Sequence, residues 1–201
     1  MDTVRAEELA ELLGSRVLYV PWGAESVSVA AELALELHSE TGSSGRVLAE
    51  TTTVIPEELL AWPQRTTVTR TAADATDVVA VIRPSYQLLE HLTLPTEGFA
   101  VVAEGPRTRL NEWAQFAGAR NMVTGETLTA RLTDTTQDAF DKLVASGSNG
   151  STAKHSKTAA NDAVSRLYAL GVSRTQILGY LMNEQGRQRS DPTAPCRDPS
   201  S

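Results

Sequence analysis

VLYVPWGAES, residues 17–26, is an apolar run of strand length that breaks at Pro21 into a turn with one glycine. A helical pattern follows over Ser26–His38, with Val27, Ala30, Ala31, Ala34 and Leu35 at spacings of three and four. The strand–loop–helix unit then repeats along the chain. Arg46–Ala49, Thr67–Arg70, Asp77–Ile82 and Phe99–Ala103 read as further strands. Between them, Pro56 with Glu57 and Glu58 opens a short helix, Tyr86–Leu92 a second, and Thr108–Ala117 a third closed by Gly118. Asn121–Leu132 reads as a hairpin about Gly125-Glu126. Continuous apolar strands alternating with helices predict an α/β fold: a three-layer, doubly wound, mostly parallel sheet.

Around this body, residues 1–15 read as an N-terminal helix with Val4, Leu9, Leu12 and Leu13 on one side. Residues 16–132 form the α/β domain and residues 133–186 a helical basic segment. Residues 187–201 read as a disordered tail. Asp134 with Gln137 suggests an N-cap for a helix over 135–145, and SGSNGS at 146–151 has the composition of a flexible linker. Beyond it, Ala160, Ala163, Val164, Leu167 and Tyr168 form one apolar stripe, and Ile177, Leu178, Leu181 and Met182 form another. Gly171 makes the turn between them, and Ser173 with Gln176 spells a capping box. A helical hairpin of this kind resembles a helix-turn-helix.

Charge divides along the same boundary. Residues 1–149 carry 11 Lys+Arg against 21 Asp+Glu, a net of −10, within a chain total of −7. Residues 150–190 carry Lys154, Lys157, Arg166, Arg174, Arg187 and Arg189 against Asp162 and Glu184, a net of +4. Such a cluster gains free energy by displacing counterions from phosphates, so this segment is the candidate DNA contact. The plain alternative is a solvated helix face. The single cysteine, Cys196, leaves no disulfide or cysteine-metal framework, and no apolar run reaches membrane-spanning length, so a cytoplasmic protein is expected. His38, His91 and His155 lie too far apart in sequence for ligand spacing, and no phosphate-binding GxxxxGK[ST] loop is present. Trp62 and Trp113 lie on apolar helix faces and are expected in the core.

In an open parallel sheet, ligands bind beyond the carboxyl ends of the strands. Here those ends carry Trp22, Gly23 and Glu25; Glu50 and Thr51; Asp74; Arg83, Ser85 and Tyr86; and Glu104 and Arg107. Over about residues 16–132 this order resembles class I S-adenosylmethionine-dependent methyltransferases, and within them the adenine-specific DNA methylases. The resemblance implies that VLYVPWGAES stands at the cofactor loop, Glu50 at the ribose acid and Asp74 near the adenine. It places DVVAVIRPSY, residues 77–86, at the Asn/Asp-Pro-Pro-aromatic catalytic motif. Gly23, Glu50 and Asp74 are then the candidate cofactor residues, and Arg83, Pro84 and Tyr86 the candidate catalytic ones. Tyr86 would stack on a flipped base, although a ring packed on the sheet is the simpler role for it.

The departures are chemical. One glycine remains in the cofactor loop, and Trp22 and Glu25 put bulk and negative charge where the ligand's carboxylate would lie. Arg83 replaces a hydrogen-bond acceptor with a group that only donates, and Ser85 replaces the second proline. The expectation is a methyltransferase-like protein without turnover or cofactor, which binds DNA or a DNA-associated complex through residues 150–190. One alternative is a divergent adenine methylase that uses S-adenosylmethionine. The other is a structural or oligomeric protein whose basic hairpin contacts an acidic protein surface, including its own body.

Overall fold

In a computed structural model, residues 3–65, 77–89, 92, 97–148 and 154–181 are described. The expected strand at Thr67–Arg70, Asp74, Arg187, Arg189 and the tail at 187–201 lie outside them. Helix α1 covers Thr3–Leu13, β1 Val17–Val20, α2 Ser26–Thr41 and β2 Gly45–Ala49. After 3₁₀ turns at Thr52–Val54 and Glu57–Leu59 come β3 (Gln64–Arg65), β4 (Val78–Ile82), α3 (Tyr86–Leu89), β5 (Phe99–Ala103), α4 (Asn111–Phe116) and β6 (Arg120–Asn121). Then follow α5 (Asp134–Ser148), α6 (Lys154–Ala169) and α7, residues 174–181.

The strands form one six-stranded sheet in the order β3-β2-β4-β5-β1-β6, and every pairing is parallel. The parallel expectation for 16–20, 46–49, 78–82 and 99–103 therefore holds. Whereas β2 alternates and carries Arg46, strands β1, β4 and β5 are apolar throughout because each is buried at every residue. Their period-two alternation divides the side chains between two clusters. Leu18, Val20, Val78, Ala80, Ile82, Val101 and Ala103 pack with Ala6 of α1 and with Ala30, Ala31, Ala34 and Leu37 of α2. Val17, Tyr19, Val79, Val81 and Val102 pack with Leu89, Leu110, Trp113 and Ala114. The alanines let α2 lie close across β5 and β4 on its way from β1 to β2. On α1 the buried spacing is Ala6, Leu9, Ala10 and Leu13, which leaves Leu12 77% exposed, against expectation.

The strand order departs from the doubly wound 3-2-1-4-5-6 order, in which the first strand lies beside the second. Here β1 lies between β5 and β6, with β5 and β4 between it and β2. Apolar runs say nothing about order. The expected hairpin at 121–132 reduces to a tight turn: Asn121 N–H donates to Glu126 O at 2.8 Å, and one antiparallel bridge joins Arg120 and Thr127.

The C-terminal helices join the body. The cap of α5 is Thr133, not Asp134: Thr133 Oγ1 accepts from Thr136 N at 3.3 Å, while Gln137 donates to Asp141 and to the Tyr180 hydroxyl. Ser146–Ser148, expected as linker, form the last turn of α5. A third cluster unites Phe116 of α4, Ala139, Phe140 and Leu143 of α5, Ala163 and Leu167 of α6, Val172, and Ile177 and Tyr180 of α7. Phe140 stacks on Tyr180 at 4.0 Å between ring centroids. A Cβ on Gly179 would lie 2.6 Å from Trp113 O, so α7 meets the α4 backbone directly. The few cross-boundary contacts implied by the linker composition are therefore replaced by a shared core.

Candidate functional site at the carboxyl edge of the sheet

From the adjacent strands β1 and β5, the following helices α2 and α4 leave to opposite sheet faces. That divergence is the switch point at which open parallel sheets take their ligands. After β1, residues 21–25 turn into α2, and the Ser26 hydroxyl closes the turn on Gly23 O at 3.1 Å. After β5 comes Glu104, a carboxylate only 3% exposed. Its Oε2 accepts from Trp22 N and its Oε1 from Leu110 N, both at 2.7 Å. One side chain thus ties together two loops that lie 82 residues apart in sequence. Tyr19 reaches it from the strand below. Burial first, then the Glu104 charge and hydrogen bond, push the Tyr19 phenol well above its ordinary pKa of 10.0, with Arg109 pulling the other way.

Arg83 follows β4 and donates its N–H to Ala103 O at 3.0 Å. It is the only non-glycine residue at positive φ among the described residues, at 47°. Its guanidinium lies over the Trp22 ring, 5.3 Å from the centroid, and its Nε is buried with no hydrogen-bond partner among the described residues. Gly105 makes room for it, since a Cβ there would come within 3.1 Å of the Arg83 Cβ. Pro84 is buried. Ser85, read as a lost proline, caps α3 by accepting from Leu88 N at 3.2 Å. Tyr86 is 42% exposed rather than packed on the sheet, and its hydroxyl donates to Arg109 O at 3.0 Å.

Of the candidate cofactor residues, Gly23 and Glu50 are described, and the sheet order holds them apart. Gly23 follows β1 and Glu50 follows β2, three strand spacings apart, or about 14 Å. A ribose acid must lie on the strand beside the cofactor loop; Glu50 instead neighbours Arg83, since Ala49 pairs with Ile82. Gly23 has open space around it and no positive φ.

Of the cationic segment, Lys154, Lys157, Arg166 and Arg174 are described. Arg166 Nη2 meets Asp138 Oδ2 at 3.4 Å, and the same oxygen accepts from Lys142 at 2.9 Å. The Lys142 bond holds the Asp138 carboxyl below the usual carboxylate range. Lys157 and Arg174 are exposed, and Lys154 begins α6. In α7, Ile177, Gly179 and Tyr180 are buried, and Leu178 packs on the cluster beneath α4. Four successive packed residues leave the second half of α7 no free side, so what the helix offers outward lies in its first turn, where Arg174 is exposed.

Trp113 is fully buried as expected, whereas Trp62 is half-buried against Gly45 and edge-on to His38. Among the described residues no group of His, Cys, Asp or Glu is placed to hold a metal, and no helix is long and apolar enough to cross a membrane. Glu104 stands at a strand end in the sequence, where nothing local gives its role of joining two loops. The available signal was a lone acid closing the run FAVVA, immediately before the turn Gly105-Pro106. Arg109 was not singled out at all. No protein-family model, curated protein or solved structure matches this chain.

Proposed function

We propose that this chain is a non-catalytic binding protein on a three-layer, doubly wound α/β framework, closed at one side by a C-terminal helical hairpin, and that it works by docking and not by turnover. Glu104 carries this reading. At a switch point, loop N–H groups are the usual donors to a ligand's anionic group. Here the Trp22 and Leu110 N–H groups already have a carboxylate from within the chain. A ligand anion that took those donors would leave the buried Glu104 charge without them, at a cost of about 1–3 kcal/mol or more. At the position where the resemblance puts the acceptor for the target amine's hydrogen, Arg83 offers donors only.

Calorimetric titration with S-adenosylmethionine tests the reading. The expected dissociation constant is weaker than about 1 mM, a binding free energy poorer than about −4 kcal/mol. Micromolar binding would overturn it in favour of a divergent methylase using Gly23, Glu50, Asp74 and Tyr86. The packing of α6 and α7 favours, for the basic segment, the structural reading over DNA docking: those helices serve the protein's own body.

A further inference from the structure

Three arginines and two aromatic rings that are scattered in sequence meet at the carboxyl edge. Trp22 and Tyr86 are 37% and 42% exposed, large values for aromatic side chains next to a buried core. Each is fixed: Trp22 by the Arg83 guanidinium over its ring, and Tyr86 by its hydroxyl on Arg109 O. Arg107 and Arg109 lie in the loop after β5 and are exposed. None of Arg83, Arg107 and Arg109 forms an ion pair with a carboxylate among the described residues. Glu25 and Glu50 stand nearby in solvent, while the Glu104 charge is taken up by two backbone donors and Tyr19.

We propose that this edge binds single-stranded nucleic acid, with Arg83, Arg107 and Arg109 taking phosphates and Trp22 and Tyr86 stacking on bases. Exposed rings interleaved with guanidinium groups form a stacking platform along a strand. A guanidinium lying on a ring keeps its edge free for bidentate contact with phosphate. The rings select the single strand, because the base faces of a duplex are already stacked. The strained backbone at Arg83 agrees with this role, since strain of this kind gathers at functional sites. The inference deepens the docking reading by naming the partner, and it moves the contact away from the basic C-terminal helices.

The test is fluorescence anisotropy of a labelled oligothymidylate of about 12 nucleotides with the full chain, at about 50 and 200 mM salt, alongside its duplex and an oligoglutamate. Micromolar binding to the single strand is expected, with a log–log salt slope near −2 from three contacts at about −0.7 each. Arg107→Glu and Trp22→Ala should each weaken it by about tenfold. Lys157→Glu should leave it unchanged. Arg107 and Lys157 are exposed, so those variants report binding even if Trp22→Ala misfolds. No binding, equal binding to the duplex, equal competition by oligoglutamate, or sensitivity to Lys157 and not to Arg107 would each overturn the inference. If neither oligonucleotide nor S-adenosylmethionine binds, this inference falls and the non-catalytic reading stands. If S-adenosylmethionine binds, the non-catalytic reading falls whatever the oligonucleotide does.

Discussion

Helix α7 and the carboxyl edge of the sheet exchange the roles that their sequence neighbourhoods suggest. Helix α7 lies in the one basic stretch of the chain, yet Ile177, Gly179 and Tyr180 are buried and Leu178 reaches the cluster under α4. The carboxyl edge belongs to a stretch with a net charge of −10, yet it presents Arg83, Arg107 and Arg109 beside two exposed rings. Net charge is a sum over a segment, whereas a partner meets only what the fold brings to one surface. The acids of the body are spread over α1, α2 and the loops, while three of its arginines follow β4 and β5, which are neighbours in the sheet.

The sharpest way to break this comparison is to remove residues 150–201. If α6 and α7 were an appendage, the α/β body would remain folded. The third cluster instead predicts collapse of cooperative unfolding, because the deletion strips Phe140 and Phe116 of Leu167, Ile177 and Tyr180. Each buried aromatic laid open to water costs about 1.5–3 kcal/mol, a large share of the roughly 5–15 kcal/mol margin of an ordinary domain. Circular dichroism with a urea titration reads the outcome. A truncated protein with an unchanged midpoint would return α7 to the role of a separate module.

A smaller change sharpens the same point. On an exposed helix, Gly179→Ala would stabilise by about 1 kcal/mol through helix propensity. Against the α4 backbone the new methyl group meets Trp113 O and the Phe116 Cβ, neither of which can swing aside. The expected result is a destabilisation of about 1–3 kcal/mol. The sign of the change in the urea midpoint therefore decides between a packed and a free α7.

These contrasts explain what was legible in the sequence. Three of the four long strands stand out because a strand buried on both faces must be apolar at every position, as VLYV, VVAVI and FAVVA are, while β2 alternates. Local chemistry was equally readable. Ser173 N–H donates to the Gln176 side chain at 2.7 Å, and Ser173 Oγ accepts from Gln176 N at 3.2 Å, as the capping box predicts, with Gly171 at φ 79° in the turn before it. What could not be read is anything that depends on which strand lies beside which. Glu50 looked like a ribose acid because it ends the second strand, but the order β2-β4-β5-β1 sets it beside Arg83. Glu104 finds its partners across 82 residues, and no local pattern announces a bond of that kind. Thr133 and Asp134 are both good caps, and one residue of helix phase decided between them.

The smallest expected effect probes the carboxyl edge from beneath. Tyr19 lies under Glu104, and its phenol is held protonated well above 10.0 by burial and by that carboxylate. The unfolded chain gives up this proton near the ordinary value, while the folded chain keeps it. The contribution to stability is therefore complete below pH 10.0 and shrinks as pH rises through and beyond that value. At neutral pH, Tyr19→Phe removes one hydrogen bond and should cost about 0.5–1.5 kcal/mol. On the alkaline side the two proteins should converge, because the wild type loses there what the variant never had. Urea midpoints at neutral pH and at about pH 11 measure that convergence, and the other titrating groups cancel in the difference. Parallel pH profiles for the two proteins would mean that neither burial nor Glu104 holds the Tyr19 phenol protonated in the folded chain.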